Sequence, residues 1–367
     1  METERIEIKV DNKKNYDIVI ADDYSSLKEE LLKIFGEGKK ALVFTDSNVR
    51  PLYEETVRDA LSGVFKELQF FSYEAGECSK NLKTVNDAYG FLIDNRFGRK
   101  DVILALGGGV AGDMAGFTAA TYLRGIDYVQ LPTTLLSMVD SGIGGKTGVD
   151  YESYKNMVGA FYMPRLVYIN TETLNTLPDR QYSSGIAEVL KAGLIKDPGF
   201  YEWMINSFNE IGDKEPSYIS EMIFRSLCIK KAVVEKDPFE HGDRALLNFG
   251  HTLGHAIEKF YDFKYMHGEC VALGSVCAAF ISYKRGLISA EEYYEIRDMF
   301  VPFGLPISIT GADADVIVSY TASDKKNDTD HLKFILLKKI GRAYIDITVT
   351  EEEMKAAVNE LIFTEGE

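Results

Sequence analysis

Two kinds of hydrophobic pattern divide this chain, and they predict a sheet-forming half followed by a helical half. In the first half, short apolar runs indicate strands, and between them apolar residues recur at helical spacing. The predicted strands are Arg5–Val10, Ala41–Asp46, Val64–Phe71, Asp101–Gly109, Tyr128–Pro132 and Leu166–Asn170. The predicted helices are Ser26–Phe35, Asn48–Leu61 and Asn81–Asn95. Strands separated by helices are typical of βαβ units, so we expect an α/β fold with a mostly parallel sheet.

After Leu174–Gly185 the strand patterns stop and long helical patterns replace them. The predicted helices of this half are Ile186–Ile195, Tyr218–Glu235, Thr252–Tyr261, Glu269–Arg285 and Ala290–Phe300. A single core rarely grows beyond about 250–300 residues, so two domains are expected. We therefore predict an α/β domain over residues 1–178 and an all-helical C-terminal domain over residues 179–367.

The composition makes any local positive charge informative. The formal net charge is −16, which argues against nucleic acid as a partner. No apolar run approaches the roughly 20 residues of a membrane span, and the charged N-terminal residues lack the apolar region of a signal peptide. The four cysteines have no disulfide-like or zinc-like spacing. We therefore expect a cytoplasmic protein without a membrane partner, and a cluster of basic side chains would indicate an anionic substrate.

A glycine-rich turn, Gly107-x-Gly109-x-x-Gly112, follows a predicted strand and enters a helical pattern. Such glycines let the backbone approach a pyrophosphate, and the helix N-terminus offers N–H donors. A tight strand-to-helix turn without a ligand is the alternative at this stage. At least two strands precede the turn, so the topology differs from the usual dinucleotide-binding unit.

Other strand ends offer further ligand-binding groups. Asp46 ends an earlier strand and is a better candidate for ribose binding than Asp127, which lies in a loop-like segment. Thr133 and Thr134 follow another strand, where they either bind the ligand or cap a helix. The sequence therefore predicts nucleotide binding.

Charged residues occur in two further segments. The glycine-rich segment 138–161 can wrap a ligand, although each lysine in it could equally be solvated. Its candidate residues are Asp140, Lys146, Lys155 and Asn156. Glu188 and Lys191 lie three apart in an apolar helical pattern, so they form either an internal ion pair or part of a site.

Three of the five histidines, His251, His255 and His267, fall within Leu247–Glu269. Two histidines and a carboxylate are common zinc ligands, so a metal or catalytic site is favoured over three structural histidines. Because His251 and His255 are four apart, spacing alone favours them as the metal pair. Arg244 and Asn248 continue the same spacing, which predicts one helical surface carrying Arg, Asn, His and His, with Lys230 nearby.

Five segments, taken in order, closely resemble the 3-dehydroquinate synthase family, and the motifs extend from about Asp46 to His267. They are GGGVAGDMAGFTAATYLRG, VQLPTTLLSMVDSGIGGKTGVD, KNMVGAFYMP, GIAEVLKAG and RALLNFGHTLGHAIE. The resemblance implies a Rossmann-like NAD-binding domain, a helical metal- and substrate-binding domain, and usually a homodimer. It also implies a substrate-binding cleft between the two domains.

The resemblance assigns residues to each ligand. It places the divalent metal, zinc or cobalt, on Glu188, His251 and His267, which replaces the neighbouring histidine pair. The residues assigned to NAD are Asp46, Asn48, Glu77, Lys80, Gly109, Val110, Ala111, Gly112, Asp113, Thr133, Thr134, Lys146, Lys155, Thr173, Leu174, Asn175 and Thr176. The residues assigned to substrate and catalysis are Arg124, Asp140, Lys146, Lys155, Asn156, Lys191, Lys230, Arg244, Asn248 and His255. A further family lysine falls on Lys325 or Lys326.

The implied activity is a step of the shikimate pathway, carried out by a carbon–oxygen lyase. It converts 3-deoxy-D-arabino-heptulosonate 7-phosphate to 3-dehydroquinate and phosphate by transient oxidation, phosphate elimination, reduction and aldol closure. The substrate's carboxylate and phosphate would explain the basic residues, because guanidinium and ammonium groups bind such anions.

Three positions depart from the family pattern: Gln181, Tyr154 and Asp150. None of them is a metal ligand. Three alternatives remain: another sugar-phosphate cyclase, such as a 2-deoxy-scyllo-inosose or valiolone-type synthase, a metal-dependent polyol dehydrogenase, and a binding protein without activity.

Overall fold

The computed structural model of the protein describes residues 3–10, 12–152, 154–238, 242–321 and 332–363. The chain divides into two units, Met1–Leu177 and Pro178–Glu367. Among the described residues, no helix is both long enough and apolar enough to cross a membrane.

The first unit contains the sheet. Its strands are β1 (Glu4–Val10), β2 (Lys13–Ala21), β3 (Lys40–Asp46), β4 (Glu67–Tyr73), β5 (Val102–Gly107), β6 (Asp127–Pro132), β7 (Lys146–Tyr151), β8 (Tyr154–Phe161) and β9 (Leu166–Asn170). Its α-helices are α1 (Leu27–Phe35), α2 (Arg50–Ala60), α3 (Leu82–Asp94) and α4 (Gly109–Thr121). Helices connect most of these strands, as the alternating sequence pattern predicted.

Seven strands form one sheet in the order β1-β2-β9-β6-β5-β3-β4. Only β1 and β2 pair antiparallel in this sheet; the other neighbours are parallel. The chain passes from β3 through α2 to β4, towards one edge of the sheet. From β5 it passes through α4 to β6, towards the opposite edge. The carboxyl ends of β3 and β5 therefore form a topological switch point, where open α/β sheets bind ligands.

Alternating strand side chains build a core on each face of this sheet. Val43 packs in a cluster with Leu31 of α1 and Val57 of α2. Its neighbour Leu42 packs in a second cluster with Met114 of α4. Strand side chains alternate between the two faces, so a parallel sheet covered by helices on both sides needs apolar residues at consecutive positions.

The second unit is mainly helical. Its α-helices are α5 (Asp179–Lys196), α6 (Pro198–Asn206), α7 (Phe208–Gly212), α8 (Pro216–Lys236), α9 (His251–Phe260), α10 (His267–Lys284), α11 (Ala290–Asp298), α12 (Ala314–Tyr320) and α13 (Glu351–Leu361). A hairpin pairs β10 (Phe334–Lys339) with β11 (Arg342–Asp346). Helix α10 is buried on all sides and packs against α5, α9, α11, α13 and β10, as expected of a helix that is apolar all round.

Two glycines let neighbouring helices approach α10. A Cβ atom on Gly274 would lie 1.8 Å from the carbonyl oxygen of Gly250, at the start of α9. A Cβ atom on Gly268 would lie 2.0 Å from the carbonyl oxygen of Ser184 in α5. Any side chain at these positions would force the helices apart, so both glycines are required by close packing.

The structure confirms the predicted mostly parallel sheet and the helical second half, with two corrections. The second unit is not all helical, because it contains β10 and β11; the buried run Phe334–Leu337 has no periodicity that distinguishes a strand from a helix. The segment 138–161 is not one loop, because it holds most of a π-helical turn, Ser137–Ser141, and the hairpin β7–β8. Its glycines concealed the strands, since glycine is rare in them.

An arginine just after α10 connects three elements of the second unit. Arg285 donates to both carboxylate oxygens of Glu353 in α13, at 2.6 and 2.7 Å, and to Asp346 in β11 at 3.0 Å. The hydrogen bond from Arg285 holds the pKa of the Glu353 carboxyl below its ordinary value of 4.5. A depressed carboxyl pKa contributes stability above the unfolded-state pKa, and that stability is lost as the pH falls.

We expect Arg285→Leu to lower the free energy of unfolding by about 1–2 kcal/mol at pH 7, because these charged hydrogen bonds are only partly shielded from water. The difference from wild type should shrink as the pH is lowered from about 5 to 2. Urea unfolding at several pH values measures it. Lys83→Met removes an exposed pair with Asp87, whose lysine side chain is 82% exposed, and should change little. A deficit that is independent of pH would contradict this account.

Candidate active site

A carboxylate and two imidazoles from three helices meet within the second unit. Glu188 lies in α5, and His251 and His267 begin α9 and α10. One carboxylate oxygen of Glu188 lies 3.2 Å from Nε2 of His267 and 3.5 Å from Nε2 of His251. The close packing at Gly268 and Gly274 brings the three helices to this point.

This triad has the dimensions of a metal site. Its three ligand atoms lie within 4.8 Å of one another. Ligands about 2.0–2.1 Å from a tetrahedral zinc ion are about 3.3–3.5 Å apart, close to both Glu188–histidine distances. One carboxylate and two imidazoles also form a common catalytic zinc set, which leaves a coordination position for substrate. The residues present therefore fit a divalent ion.

Lys191 controls the charge at this point. Its Nζ contacts the second carboxylate oxygen of Glu188, and both side chains are only 3% exposed. Burial alone would raise the pKa of the Glu188 carboxyl, but Lys191, His267 and His251 outweigh it and hold that pKa well below its usual range. Burial, reinforced by Lys191, lowers the pKa of His251 well below its ordinary value. The carboxylate is thus ionised and this imidazole neutral, which are the forms that bind metal.

The remaining geometry of the histidines matches this role. Nδ1 of His251 lies 3.2 Å from the carbonyl oxygen of Phe249, a partner that directs Nε2 towards the triad. His255 is exposed, and its ring centroid lies 5.1 Å from that of His251 and 5.8 Å from that of His267. His255 therefore stands beside the triad, and the metal pair favoured by spacing, His251 with His255, is not the pair that Glu188 joins.

The helical surface predicted to continue from Arg244 to the histidines does not exist. Arg244 and Asn248 lie in a 3-10 segment, Asp243–Asn248, and Gly250 in the left-handed region separates that segment from α9. These residues are four apart in the sequence, as the prediction required, but they do not lie on one continuous helix. A glycine turn ends the 3-10 segment before α9 begins.

The basic candidates of this unit are buried. Lys191 lies in α5, Lys230 in α8, and Arg244 in the 3-10 segment, and all three side chains are shielded from water. Arg244 donates to the carbonyl oxygen of Pro238, and Asn248 is exposed. Burying a cation is costly unless a polar or acidic partner compensates for the lost water, and Lys191 has such a partner in Glu188.

The glycine turn lies at the switch point of the first unit. Gly107 ends β5 with a φ of 155°, and α4 begins at Gly109. The backbone N–H of Thr133, after β6, donates to the carbonyl of Gly107 at 3.0 Å. A Cβ atom on Gly107 would lie 3.5 Å from a carboxylate oxygen of Asp46, at the end of β3. The predicted ribose acid and the predicted phosphate-binding turn are therefore adjacent.

Four further candidates form a polar network near the start of α4. Nζ of Lys80 is buried, lies 2.7 Å from Oδ2 of Asp113, and donates to Oδ1 of Asn156 at 2.5 Å. Glu77 lies 4.0 Å from the same ammonium. Burial opposes the charge of Lys80, but Asp113 and Glu77 outweigh it and raise the pKa of Lys80. The network thus holds one charged ammonium group between two carboxylates near the start of α4.

The other predicted residues of the first unit are less closely grouped. Thr134 accepts a hydrogen bond from the N–H of Ser137 at 3.2 Å, so its side chain caps the helical turn that follows. Asp140 lies in the π-helical turn. The side chains of Thr173 and Leu174 are buried. The exposed candidates are Asn48, Arg124, Lys146, Lys155, Asn175 and Thr176. Lys325 and Lys326 lie outside the described residues.

Sequence reasoning missed buried hydroxyls at this edge of the sheet. Within the described part of the chain, Oγ of Ser141 is buried without a hydrogen-bond partner, and it lies 2.8 Å from where a Cβ atom on Gly109 would be. The hydroxyls of Thr45 and Tyr73, near the ends of β3 and β4, are in the same condition. A water or a polar ligand would satisfy such groups, but only their burial, which no sequence pattern shows, identifies them.

Known proteins match the whole of this arrangement. Residues 70–184 match the family model of the 3-dehydroquinate synthase N-terminal region, and residues 185–327 match that of its C-terminal region. The chain is 41% identical over 341 residues to the 3-dehydroquinate synthase of Acetivibrio thermocellus, covering 93% of this chain and 94% of that one. It is 43% identical over 321 residues to that of Acidithiobacillus ferrooxidans, covering 87% of each chain.

Solved structures of two cyclases share the fold. A 2-epi-5-epi-valiolone synthase from Streptomyces hygroscopicus, with NAD+ and Zn2+ bound, has a TM-score of 0.88 and 27% identity, covering 96% of this chain and 98% of that one. A 2-deoxy-scyllo-inosose synthase, complexed with carbaglucose-6-phosphate, NAD+ and Co2+, has a TM-score of 0.88 and 25% identity, covering 97% of this chain and all of that one.

We expect alanine at Glu188, His251 or His267 to weaken zinc binding by more than about 100-fold, since changing only an outer partner of a ligand already costs about 10–100-fold. His255→Ala should keep the metal. Chelator competition and metal analysis of the purified variants measure both. Glu30→Gln, which changes a buried carboxylate paired with Arg5 in the other unit, is the control. Retention by His267→Ala together with loss by His255→Ala would favour the neighbouring histidine pair instead.

Proposed function

The chain belongs to the 3-dehydroquinate synthase family, and we propose that it carries out the reaction of that family. The substrate is 3-deoxy-D-arabino-heptulosonate 7-phosphate, and the products are 3-dehydroquinate and phosphate. The observation that carries the proposal is the triad of Glu188, His251 and His267 beside the buried Lys191. The cofactors are NAD and one divalent ion, zinc or cobalt, as in the two cyclase structures.

The two units divide the work of binding. We assign residues 1–178 to NAD, because the switch point brings Asp46 and the glycine turn together and Lys80 adds a positive charge. We assign residues 179–367 to the metal and much of the substrate, because the triad and the buried cations lie there. The remaining NAD contacts come from the other strand ends, at Thr133, Thr134 and 173–176.

The buried cations bind the substrate's two anionic groups. Lys191, Lys230 and Arg244 are shielded from water, so each attracts a carboxylate or phosphate more strongly than a surface lysine does. The guanidinium of Arg244 suits a two-point contact with either group. The further substrate contacts proposed for the family's reaction are Arg124, Asp140, Lys146, Lys155, Asn156 and Asn248.

Proton transfer in the proposed reaction requires side chains that can contact the substrate. NAD held by Asp46 and the glycine turn would supply a hydride acceptor that is regenerated in each turnover, so no net oxidant would be consumed. A divalent ion in the triad supplies Lewis acidity to the hydroxyl that is oxidised. His255, exposed beside the triad, and Lys146 are the side chains we propose to hold or move protons.

A different cyclase activity is the nearest alternative. The two cyclase structures are 25% and 27% identical to this chain, whereas the two 3-dehydroquinate synthases cited are 41% and 43% identical. The substrate carboxylate makes the chemical difference, since it needs a cation in addition to those that bind phosphate. Lys230 and Arg244 are the residues we propose for that role.

We also propose a cytoplasmic homodimer. The four cysteines make no disulfide, which accords with a reducing compartment. The hairpin β7–β8 carries the exposed apolar side chains Tyr151, Tyr154, Met157 and Phe161, and among the described strands β8 pairs only with β7. An open strand edge with apolar side chains favours contact with a second copy of the chain.

We expect the protein, supplied with the heptulosonate phosphate, zinc and a trace of NAD, to release many phosphates per NAD and equal amounts of 3-dehydroquinate. Phosphate release and dehydroquinate absorbance measure the two products. A hexose phosphate without a carboxylate should give no phosphate. Folded, metal-loaded protein that releases none from the heptulosonate phosphate, or that accumulates NADH in stoichiometric amounts, would rule the proposal out.

Arg244→Met should lower turnover by about 100-fold or more with unchanged NAD affinity, because a buried electrostatic contact is lost. Arg244→Lys should restore only part of it, since the planar fork is missing. Lys196→Met, at the exposed end of α5, is the control and should behave as wild type. Equal activity of Arg244→Met and wild type would remove Arg244 from the site.

Met157→Asp should convert the dimer to a monomer, because a charge on the open hairpin disfavours an apolar interface. Sedimentation velocity of both proteins at the same concentration measures this. Leu52→Asp, an exposed apolar position on α2, serves as the control. A wild-type monomer would contradict the dimer, and a dimeric Met157→Asp variant would place the interface elsewhere.

A further inference from the structure

A buried acid beside the histidines has no role in the site described so far. Glu258 lies in α9 and is only 4% exposed. It follows His255 by three residues and His251 by seven, so the three side chains share one face of the helix. A buried carboxylate is costly unless a polar or charged partner compensates for the loss of water. The groups that surround the Glu258 carboxylate therefore indicate its role.

Those surroundings are two of the three clustered histidines. A carboxylate oxygen of Glu258 and one ring nitrogen each of His255 and His267 lie within 4.8 Å of one another. Nε2 of His267 also lies 3.2 Å from a carboxylate oxygen of Glu188. His267 is thus shared by two groups of potential ligands, one with Glu188 and one with Glu258.

We propose that Glu258 is a positioning residue, whose carboxylate holds the imidazole of His267 in the orientation that metal binding requires. This inference rests on the proposed metal site. An imidazole that binds a metal through one nitrogen usually donates its other N–H to a carboxylate or a backbone carbonyl, which fixes the ring and makes it a stronger ligand. His251 already has such a partner, the carbonyl of Phe249 at 3.2 Å. We assign the equivalent role for His267 to Glu258, whose carboxylate oxygen lies within 4.8 Å of a ring nitrogen of His267 and of His255.

A second metal site is the competing interpretation of the same geometry. His255, Glu258 and His267 could themselves hold an ion. Both groups need His267, however, and one imidazole does not ordinarily serve two ions. If a single ion is bound in the Glu188 group and Glu258 acts through His267, each side chain has one role. The two interpretations differ in stoichiometry: one ion per chain for positioning, and two for a second site.

The experiment measures zinc affinity of the metal-free chain by competition with a chromophoric chelator. We expect Glu258→Gln, which keeps the size but removes the charge, to bind zinc about 10–100-fold more weakly than wild type. Thermal unfolding of the metal-free proteins is measured in parallel and should differ little. Glu258→Asp, which keeps the charge but shortens the side chain, should fall between wild type and Glu258→Gln, and it replaces that variant if the latter does not fold.

The outcomes separate this inference from the proposed function. Glu30→Gln, another buried carboxylate, should leave zinc affinity unchanged. Zinc affinity of Glu258→Gln equal to that of wild type, while His267→Ala loses the metal, would overturn only the role of Glu258. A loss of thermal stability in metal-free Glu258→Gln with normal zinc affinity would make Glu258 merely structural. Two ions per wild-type chain, one of them lost in Glu258→Gln, would establish the second site instead. Wild-type protein that binds no zinc would overturn the metal site itself.

Discussion

The ionised carboxylate of Glu188, buried against Lys191, is the interaction on which the helical unit's chemistry depends. Burial alone would keep this carboxyl protonated, and a protonated acid is a poor metal ligand. Lys191, together with His267 and His251, reverses that balance, and burial, reinforced by Lys191, lowers the pKa of His251. Burial and the lysine together thus favour the metal-binding forms of two of the three ligands.

Close packing of helices is what makes this charge arrangement possible. The three ligands come from α5, α9 and α10, and two glycines of α10 allow backbones to approach where any side chain would prevent it. The same approach places His255 and Glu258 beside His267. Packed helices position a metal-binding side chain more accurately than loops do. The buried apolar residues of α10 therefore support the metal site as well as the stability of the unit.

The chain is acidic, yet it is proposed to bind anions. Both units contain a lysine that is buried against a carboxylate. In the first unit Lys80 is buried against Asp113, and in the second Lys191 is buried against Glu188. Each cation is paired in the protein alone, so the cost of burying it is offset without a ligand. The surface can then remain strongly acidic while positive charge is kept for the binding sites.

The sequence by itself determined the class of the fold and the kinds of functional residue that the chain contains. Alternating strand and helix patterns predicted the parallel sheet, because hydrophobic periodicity is a local property of the chain. The glycine turn, the clustered histidines and the five family segments identified the nucleotide, metal and anion functions together. The glycine-containing strands β7 and β8 were not predicted from the sequence, since their pairing depends on contacts across the hairpin and not on strand propensity.

Only the tertiary structure shows these residues in contact. Local spacing favoured His251 with His255, and the family resemblance replaced that pair with Glu188, His251 and His267. The fold brings these three together, although Glu188 and His267 lie 63 and 16 residues from His251 in the sequence. It also separated Arg244 from the histidines by a glycine turn, and it buried Glu258 among them. The physical reason is that the position of a side chain on its own helix is set by local periodicity, while its partners are set by the crossing of helices, which depends on packing throughout the unit.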